Sequence, residues 1–218
     1  MRRVLVIDIG GTNIKVAIGG RKVPIKIPSG KRMTAARMAA AVRAITAGLR
    51  YDVVSIGYPG PVKHGRPATD PHNLGGGWRR FNYRRAFKKP VKIVNDAVMQ
   101  AVGSYEGGRM LFLGLGTGLG SAFIADEVVL PLELAHLPYH RRGTYEDYVG
   151  QRGLDRYGFK KWKRHVHRVV ALLKEGLQAD YVVLGGGQTK KLKGPPPGAR
   201  FGNNQQAMLG GERLWRRR

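Results

Sequence analysis

Residues 8–18, DIGGTNIKVAI, place an acid, two glycines and a threonine between two apolar runs. Read outward, residues 3–9 (RVLVIDI), 14–18 (IKVAI) and 23–27 (VPIKI) are short β-rich runs separated by glycine turns, which predicts an antiparallel meander. Residues 34–50 predict the next element, a helix with Met38, Val42, Ile45 and Leu49 on one face and Thr34 at the N-cap. DVVSIGYPGPV (52–62) and VKIVND (91–96) read as two further strands ending in polar or glycine-rich loops, where α/β sheets place their chemistry.

Near residue 108 the pattern restarts. LFLGLGTGLGSAFI (111–124) shares few identities with LVIDIGGTNIKVAI (5–18) but repeats its apolar, glycine-turn, apolar layout, a weak internal repeat. The second half then reads as an irregular stretch over 131–158, a helix over 162–177, a buried strand at YVVLGGG (181–187), a rigid turn at GPPPG (194–198), a last helix from about Asn204 and a frayed RRR tail at 216–218. The expected organisation is two lobes with a cleft, residues 1–107 and 108–218, in an α/β fold.

Neither glycine cluster is followed by Lys-Ser/Thr, and 114–120 (GLGTGLG) misses the dinucleotide spacing, so both nucleotide-loop templates fail. What fits is a hairpin turn whose glycines bring backbone N–H groups close to phosphate oxygens, with Thr12 and Thr117 adding hydroxyls. A tight hairpin that merely needs positive φ is the competing explanation. Asp96, after Asn95 at a strand end, suits a carboxylate that orients a hydroxyl, or else a helix N-cap.

Composition narrows the classes. The 218 residues are 42% hydrophobic, enough for a sizeable core, and no run is apolar for the ~18 residues of a membrane span. MRRVLVIDIGG runs straight into Gly-Gly, unlike a secretory leader, so a cytoplasmic location is expected. With no cysteine there is no disulfide, thiolate zinc site or thiol nucleophile, and a metal would be Mg²⁺ carried by a substrate. The 39 Lys+Arg against 14 Asp+Glu give +25, a field that gathers polyanions, nucleic acid or inorganic polyphosphate among them, unless it reflects only a solubility bias.

In order and spacing, DIGGTNIKVAI, GYPGPV (57–62), PHNLGGGW (71–78), VNDAVMQAVGSYEGG (94–108), LGLGTGLG (113–120), ELAHL (133–137) and LGGG (184–187) resemble the ROK sugar kinases of the actin-like hexokinase superfamily, and most of all the bacterial polyphosphate glucokinases. The resemblance runs from about residue 4 to Trp215 and implies a two-lobed actin-like (ribonuclease H-like) fold. It implies Asp96 as general base toward the 6-hydroxyl of glucose, and Asn73, Asn95, Glu133, Glu146 and His136 around the sugar. Phosphate and donor contacts fall on Asp8, Gly10, Gly11, Thr12, Asn13, Lys15, Gly116, Thr117, Gly118, Gly120, Gly186 and Gly187, with Asp8 holding Mg²⁺ through water. On residues alone, Asn73 equally suits an Asx-turn, Glu146 a helix start and Asp8 a hairpin bond, and Lys190, Lys191 and Lys193 suit either a donor wall or a solvated face.

The family's cysteine-rich zinc segment is replaced by ELAHLPYHRRGTYEDYVG (133–150), so no structural zinc is expected and His136 is a structural or sugar-orienting residue. Ala135 stands where the family has glycine, and its Cβ is expected to crowd the sugar loop. Only seven residues precede Asp8, leaving no room for the helix-turn-helix of ROK repressors, so no specific nucleic-acid partner is expected. The leading expectation is phosphoryl transfer from polyphosphate, or ATP as well, to glucose in a homodimer. The alternatives are an ATP-dependent hexokinase or amino-sugar kinase, and a catalytically idle sugar- or polyanion-binding relative.

Overall fold

The structure is a computed structural model, and it describes residues 2–19, 23–140, 143–203 and 205–216. The chain divides into two compact units, Met1–Gly103 with Ala207–Arg218, and Ser104–Gln206.

The first unit is built on a five-stranded sheet of β1 (Val4–Ile9), β2 (Asn13–Ile18), β3 (Ile25–Pro28), β4 (Val53–Tyr58) and β7 (Val91–Asn95). Its strand order is β3-β2-β1-β4-β7, with the first three antiparallel as expected and β4 and β7 parallel to β1. Every residue of β1 is buried because both faces of the sheet are covered. Leu5, Ile7 and Ile9 meet Met38 and Val42 of α1 (Ala35–Ile45) and Trp78, whereas Val4 and Val6 meet Met99 of α3 (Asp96–Ser104) and Ala207 and Met208 of α6 (Gln206–Arg213). The alternation of a strand therefore assigns Asp8 to the α3 face.

Thr34 caps α1 as the sequence predicts, its hydroxyl accepting from Arg37 N. The helix ends at Ile45, earlier than expected, because the Thr46 hydroxyl bonds the Val42 carbonyl and Gly48 turns the chain at φ +75°. Leu49, expected on the buried face, is consequently 39% exposed. Between β4 and β7 lie the small hairpin of β5 (Val62–Lys63) and β6 (Arg66–Pro67) and the short α2 (Tyr83–Phe87).

The second unit repeats the plan. Its sheet holds β8 (Met110–Leu115), β9 (Leu119–Ala125), β10 (Val128–Leu132), β11 (Tyr181–Gly185) and β12 (Ala199–Phe201) in the order β10-β9-β8-β11-β12, again an antiparallel meander followed by two parallel strands. The weak repeat in the sequence is thus a repeat of topology, with the β1–β2 turn matching the β8–β9 turn.

Residues 131–158 are more ordered than the sequence suggests. They hold the end of β10, a 3₁₀ turn at Leu134–His136, α4 (Tyr145–Val149) and the start of α5 (Gln151–Gly176). Non-helical backbone at Gly158 (φ 71°, ψ 163°) breaks α5, so the helix expected at 162–177 is its second segment. GPPPG forms the expected turn, Ala199 N donating to Pro196 O. Asn204, the expected start of the last helix, and Arg217 and Arg218 of the expected frayed tail lie outside the described residues.

The last helix joins the first unit, which differs from the expected split at 107/108. Buried Ser55 on β4 explains the attachment, since its hydroxyl donates to Gly211 O at 2.6 Å and accepts from Trp215 Nε1 at 2.9 Å. Lys92 on β7 adds a bond to Leu214 O.

Candidate active site

In the first unit the parallel register sets Asp8 beside Gly57 and Gly57 beside Val94, while Tyr58 pairs with Asn95. Asp8 and the Asn95–Asp96 step therefore lie at the C-terminal ends of strands two places apart, roughly 10 Å across the sheet. Asp8 is 8% exposed, and its Oδ2 lies 3.4 Å from Lys15 Nζ across the β1–β2 pair. Burial pushes the Asp8 carboxyl above the ordinary carboxylate range, and the Lys15 ammonium opposes that shift. Gly57 keeps this corner open, because a Cβ there would strike Met99 Cε and come within 3.4 Å of Asp8 Oδ1.

Two carbonyls of the turn between β1 and β2 are occupied. Gly10 O accepts the Ser29 hydroxyl at 2.6 Å, Thr12 O accepts Ser29 N at 2.9 Å, and Gly10 N donates to Asn13 O at 3.0 Å. Among the described residues, the N–H groups of Gly11 and Thr12 have no protein acceptor. Neither Gly10 nor Gly11 has positive φ, so the tight-hairpin explanation fails for both. Gly10 is bare because a Cβ would sit 2.9 Å from Asn13 O, whereas at Gly11 the nearest atom would be Asn73 Cβ at an ordinary 3.5 Å. Exposed Asn73 is thus brought over this turn.

Asn95 has a structural duty the sequence did not reveal. Its Nδ2 donates to Gly60 O at 3.0 Å and its Oδ1 accepts from Ala97 N at 2.8 Å, tying the 59–61 loop to the start of α3. Asp96 opens α3 as its first residue with Oδ1 also accepting from Ala97 N, so the N-cap position that the sequence offered Asp96 is held by Asn95. Asp70, which sequence reading missed, shapes the Asn73 loop by accepting from the N–H groups of Gly77, Trp78 and Arg79. Those bonds outweigh desolvation and hold its carboxyl below the usual range.

In the second unit the β8–β9 turn follows the same logic. Gly116 N donates to Gly118 O, and the carbonyls of Gly116 and Thr117 both accept from Gln151 N at the start of α5. Among the described residues, the N–H groups of Thr117 and Gly118 have no protein acceptor. Gly116 has no positive φ, and a Cβ there would meet nothing within 4 Å. Gly186, by contrast, is needed by the fold, with φ +86° and a Cβ position that collides with the Leu115 carbonyl. That approach sets the Gly186–Gly187 loop against the end of β8, and the Gln151 and Gln188 side chains bond each other across it. Gln151 is therefore a positioning residue, missed because a lone glutamine carries no sequence signal.

Glu133, His136 and Glu146 lie close together. His136 Nε2 lies 4.0 Å from Glu133 Oε2 and its Nδ1 3.9 Å from Glu146 Oε1, too long for hydrogen bonds but close enough to serve one small ligand. Glu146 also abuts the glycine turn, since a Cβ on Gly118 would collide with its Oε2. The helix-start duty falls instead on Asp147, which accepts from the Thr144 N–H at 3.0 Å and hydroxyl at 2.9 Å and is held below the usual carboxylate range by those bonds.

Ala135, expected to crowd the sugar loop, is 4% exposed and belongs to the core cluster that includes Tyr148, Val149 and Trp162. Where the family carries zinc, aromatic rings pack together: Tyr139 stacks on Tyr145 (5.1 Å), Tyr148 stacks on Tyr157 (5.1 Å), and His165 meets Tyr148 edge-on (4.8 Å). Among the described residues no group of three His, Cys, Asp or Glu side chains is placed to hold a metal. Lys190, Lys191 and Lys193 are exposed around the Gly187–Lys191 turn.

No protein-family model matches the sequence. The chain is 26% identical over 209 residues to a polyphosphate glucokinase of Mycobacterium tuberculosis, spanning 85% of this chain and 77% of that one. An inorganic polyphosphate/ATP-glucomannokinase from Arthrobacter superposes with a TM-score of 0.80 at 23% identity, over 98% of this chain and 99% of that one. The fold is that of the ROK sugar kinases. A ROK hexokinase from Thermus thermophilus gives 0.72 at 21% identity, covering 96% of each chain. Duplicated sheets with paired glycine turns are thus the actin-like sugar-kinase architecture.

Proposed function

We propose that this chain is a sugar kinase that transfers a phosphoryl group from inorganic polyphosphate, and from ATP as a second donor, to the 6-hydroxyl of glucose. The observation that carries the reading is the pair of equivalent hairpin turns, each with two successive N–H groups that have no acceptor among the described residues, beside a glycine that neither φ nor packing demands. The relative named a polyphosphate glucokinase and the neighbour named a polyphosphate/ATP-glucomannokinase support the same donor and acceptor classes.

In this reading the chemistry and the sugar contacts fall on the residues that the resemblance singled out. Asp96 takes the proton of the 6-hydroxyl as its oxygen attacks the terminal phosphorus, and the bond to the next phosphate oxygen breaks, leaving a shortened chain or ADP. Asn73, Asn95, Glu133, His136 and Glu146 bind the sugar, and hydroxyl recognition by such groups rejects analogues lacking one. The turns at Gly10–Asn13 and Gly116–Gly120, with Lys15 and the Gly186–Gly187 loop, hold phosphate. Mg²⁺ fits here as a partner of the donor, because it binds through one or two carboxylates plus phosphate oxygens, and Asp8 is one buried carboxylate beside a phosphate-type turn. Bound Mg²⁺ would neutralise charge on the phosphates. The reading carries a cytoplasmic homodimer, which size-exclusion chromatography with light scattering checks.

The test is ³¹P NMR of purified protein with glucose, Mg²⁺ and either long-chain polyphosphate or ATP. A glucose 6-phosphate resonance growing with polyphosphate is expected. Product from neither donor sinks the reading.

A further inference from the structure

In the first unit, away from the residues assigned above, a concave site of about 460 Å³ opens between the β5–β6 hairpin, residues 79–84 and the start of β7. Among the described residues, the arginines Arg66, Arg79, Arg80 and Arg84 line it together with His64, and no carboxylate does. The two-residue turn His64–Gly65, with φ of 50° and 69°, presents His64 and Arg66 from one side. Among the described residues no carboxylate lies within ion-pair distance of any of the four guanidiniums. Asp70, the neighbour that couples to Arg79, is committed to three backbone N–H groups.

Four like charges around one concavity repel one another, so this arrangement costs stability unless a polyanion offsets it. Guanidinium forks suit phosphate oxygens in particular. The aromatic rings here are not a stacking platform. Tyr83 is 6% exposed with its hydroxyl on Trp78 O, and Phe81 packs against it edge-on at 5.0 Å. Nucleic acid, which uses base stacking as well as phosphate contacts, therefore fits less well than a bare phosphate chain.

We propose that this four-arginine site binds inorganic polyphosphate as an anchor separate from the point of transfer. The inference rests on the polyphosphate reading above and deepens it. Val91 and Ile93 line the site while Asn95 ends the same strand, so anchor and Asp96 are separated by roughly 13 Å along β7. A long chain can span that distance and a triphosphate cannot occupy both places. Anchoring one part of the chain raises the effective concentration of its end at the point of transfer.

The test compares wild type, Arg66→Gln/Arg84→Gln, and a control of equal charge loss on α5, Arg164→Gln/Arg168→Gln. Binding of fluorescently labelled long-chain polyphosphate is measured without sugar at fixed ionic strength, with single-stranded DNA of matched charge alongside. The pocket variant should bind polyphosphate about tenfold more weakly and the control within about twofold, with DNA weaker than polyphosphate throughout. The KM for long chains should rise by a similar factor, with kcat and the KM for glucose unchanged when ATP is the donor. Arg79→Gln/Arg80→Gln should reproduce the loss if the first variant melts early. Equal weakening in the control, or DNA binding as tight as polyphosphate, overturns the proposal. Binding that behaves as expected in a protein that forms no sugar phosphate keeps the site and overturns the kinase reading instead.

Discussion

Gly116→Ala should make the protein more stable and much less active. Its backbone lies outside the left-handed region and the added Cβ meets nothing within 4 Å, so the folded state loses nothing. The unfolded chain loses freedom, which stabilises by about 0.4–1 kcal/mol, a melting rise of roughly 1–4 °C for a chain of this length. The methyl group also stands beside the unpartnered amides of Thr117 and Gly118, where a phosphoryl oxygen would approach. Losing one such oriented donor typically lowers kcat by ~10²–10³. Gly11→Ala, whose Cβ would lie 3.5 Å from Asn73 Cβ, should behave alike, whereas Gly10→Ala, 2.9 Å from Asn13 O, should lose both stability and activity. Differential scanning calorimetry paired with steady-state kinetics reads both effects. Gly116→Ala and Gly11→Ala enzymes with wild-type kcat/KM would refute the claim that these turns are bare for phosphate.

Asp8→Asn should abolish transfer yet raise the melting temperature at pH 7. Burial lifts the folded carboxyl above its ordinary value of 3.8, so the associated stability is present below that value and lost as pH rises through the folded pKa. The stabilisation by Asn should accordingly vanish at pH below 3.8, and a gain that persists there contradicts the burial argument. Asp96→Asn, which keeps an acceptor for Ala97 N, should lower kcat ~10²–10⁴-fold, as steady-state kinetics would show. Gly118→Ala should displace the Glu146 carboxylate, a flexible neighbour, raising the KM for glucose more than that for the donor. Ser55→Ala should cost about 1–3 kcal/mol in chemical denaturation, because it strips partners from Gly211 O and Trp215 Nε1.

The sheets were legible because period-two apolar runs around glycine turns are strong local signals, and the 5–18 and 111–124 segments carry the duplication in their sequence pattern. The attachment of α6 was not, since it depends on the hydroxyl of Ser55, some 150 residues distant in sequence. The helical start of α5 was hidden by Gly153 and Gly158 and by a polar sequence whose only early core residues are Gly153 and Leu154. At the site, the residue types implied chemistry and the resemblance supplied roles. Geometry changed the reasons: Gly10, Gly11 and Gly116 serve space instead of positive φ, Asn95 ties a loop to the start of α3, Asp147 relieves Glu146 of capping, and Ala135 is buried in the core. Gln151, Asp70 and the four-arginine site are products of tertiary placement with no local pattern.

The most direct measurement is the initial rate of glucose 6-phosphate formation by wild type and Asp96→Asn, with polyphosphate and with ATP at equal phosphoryl concentration and ionic strength. The account predicts faster turnover with polyphosphate and loss of both rates in the variant. An Asp96→Asn enzyme as active as wild type, or a wild type inert with polyphosphate, would contradict it.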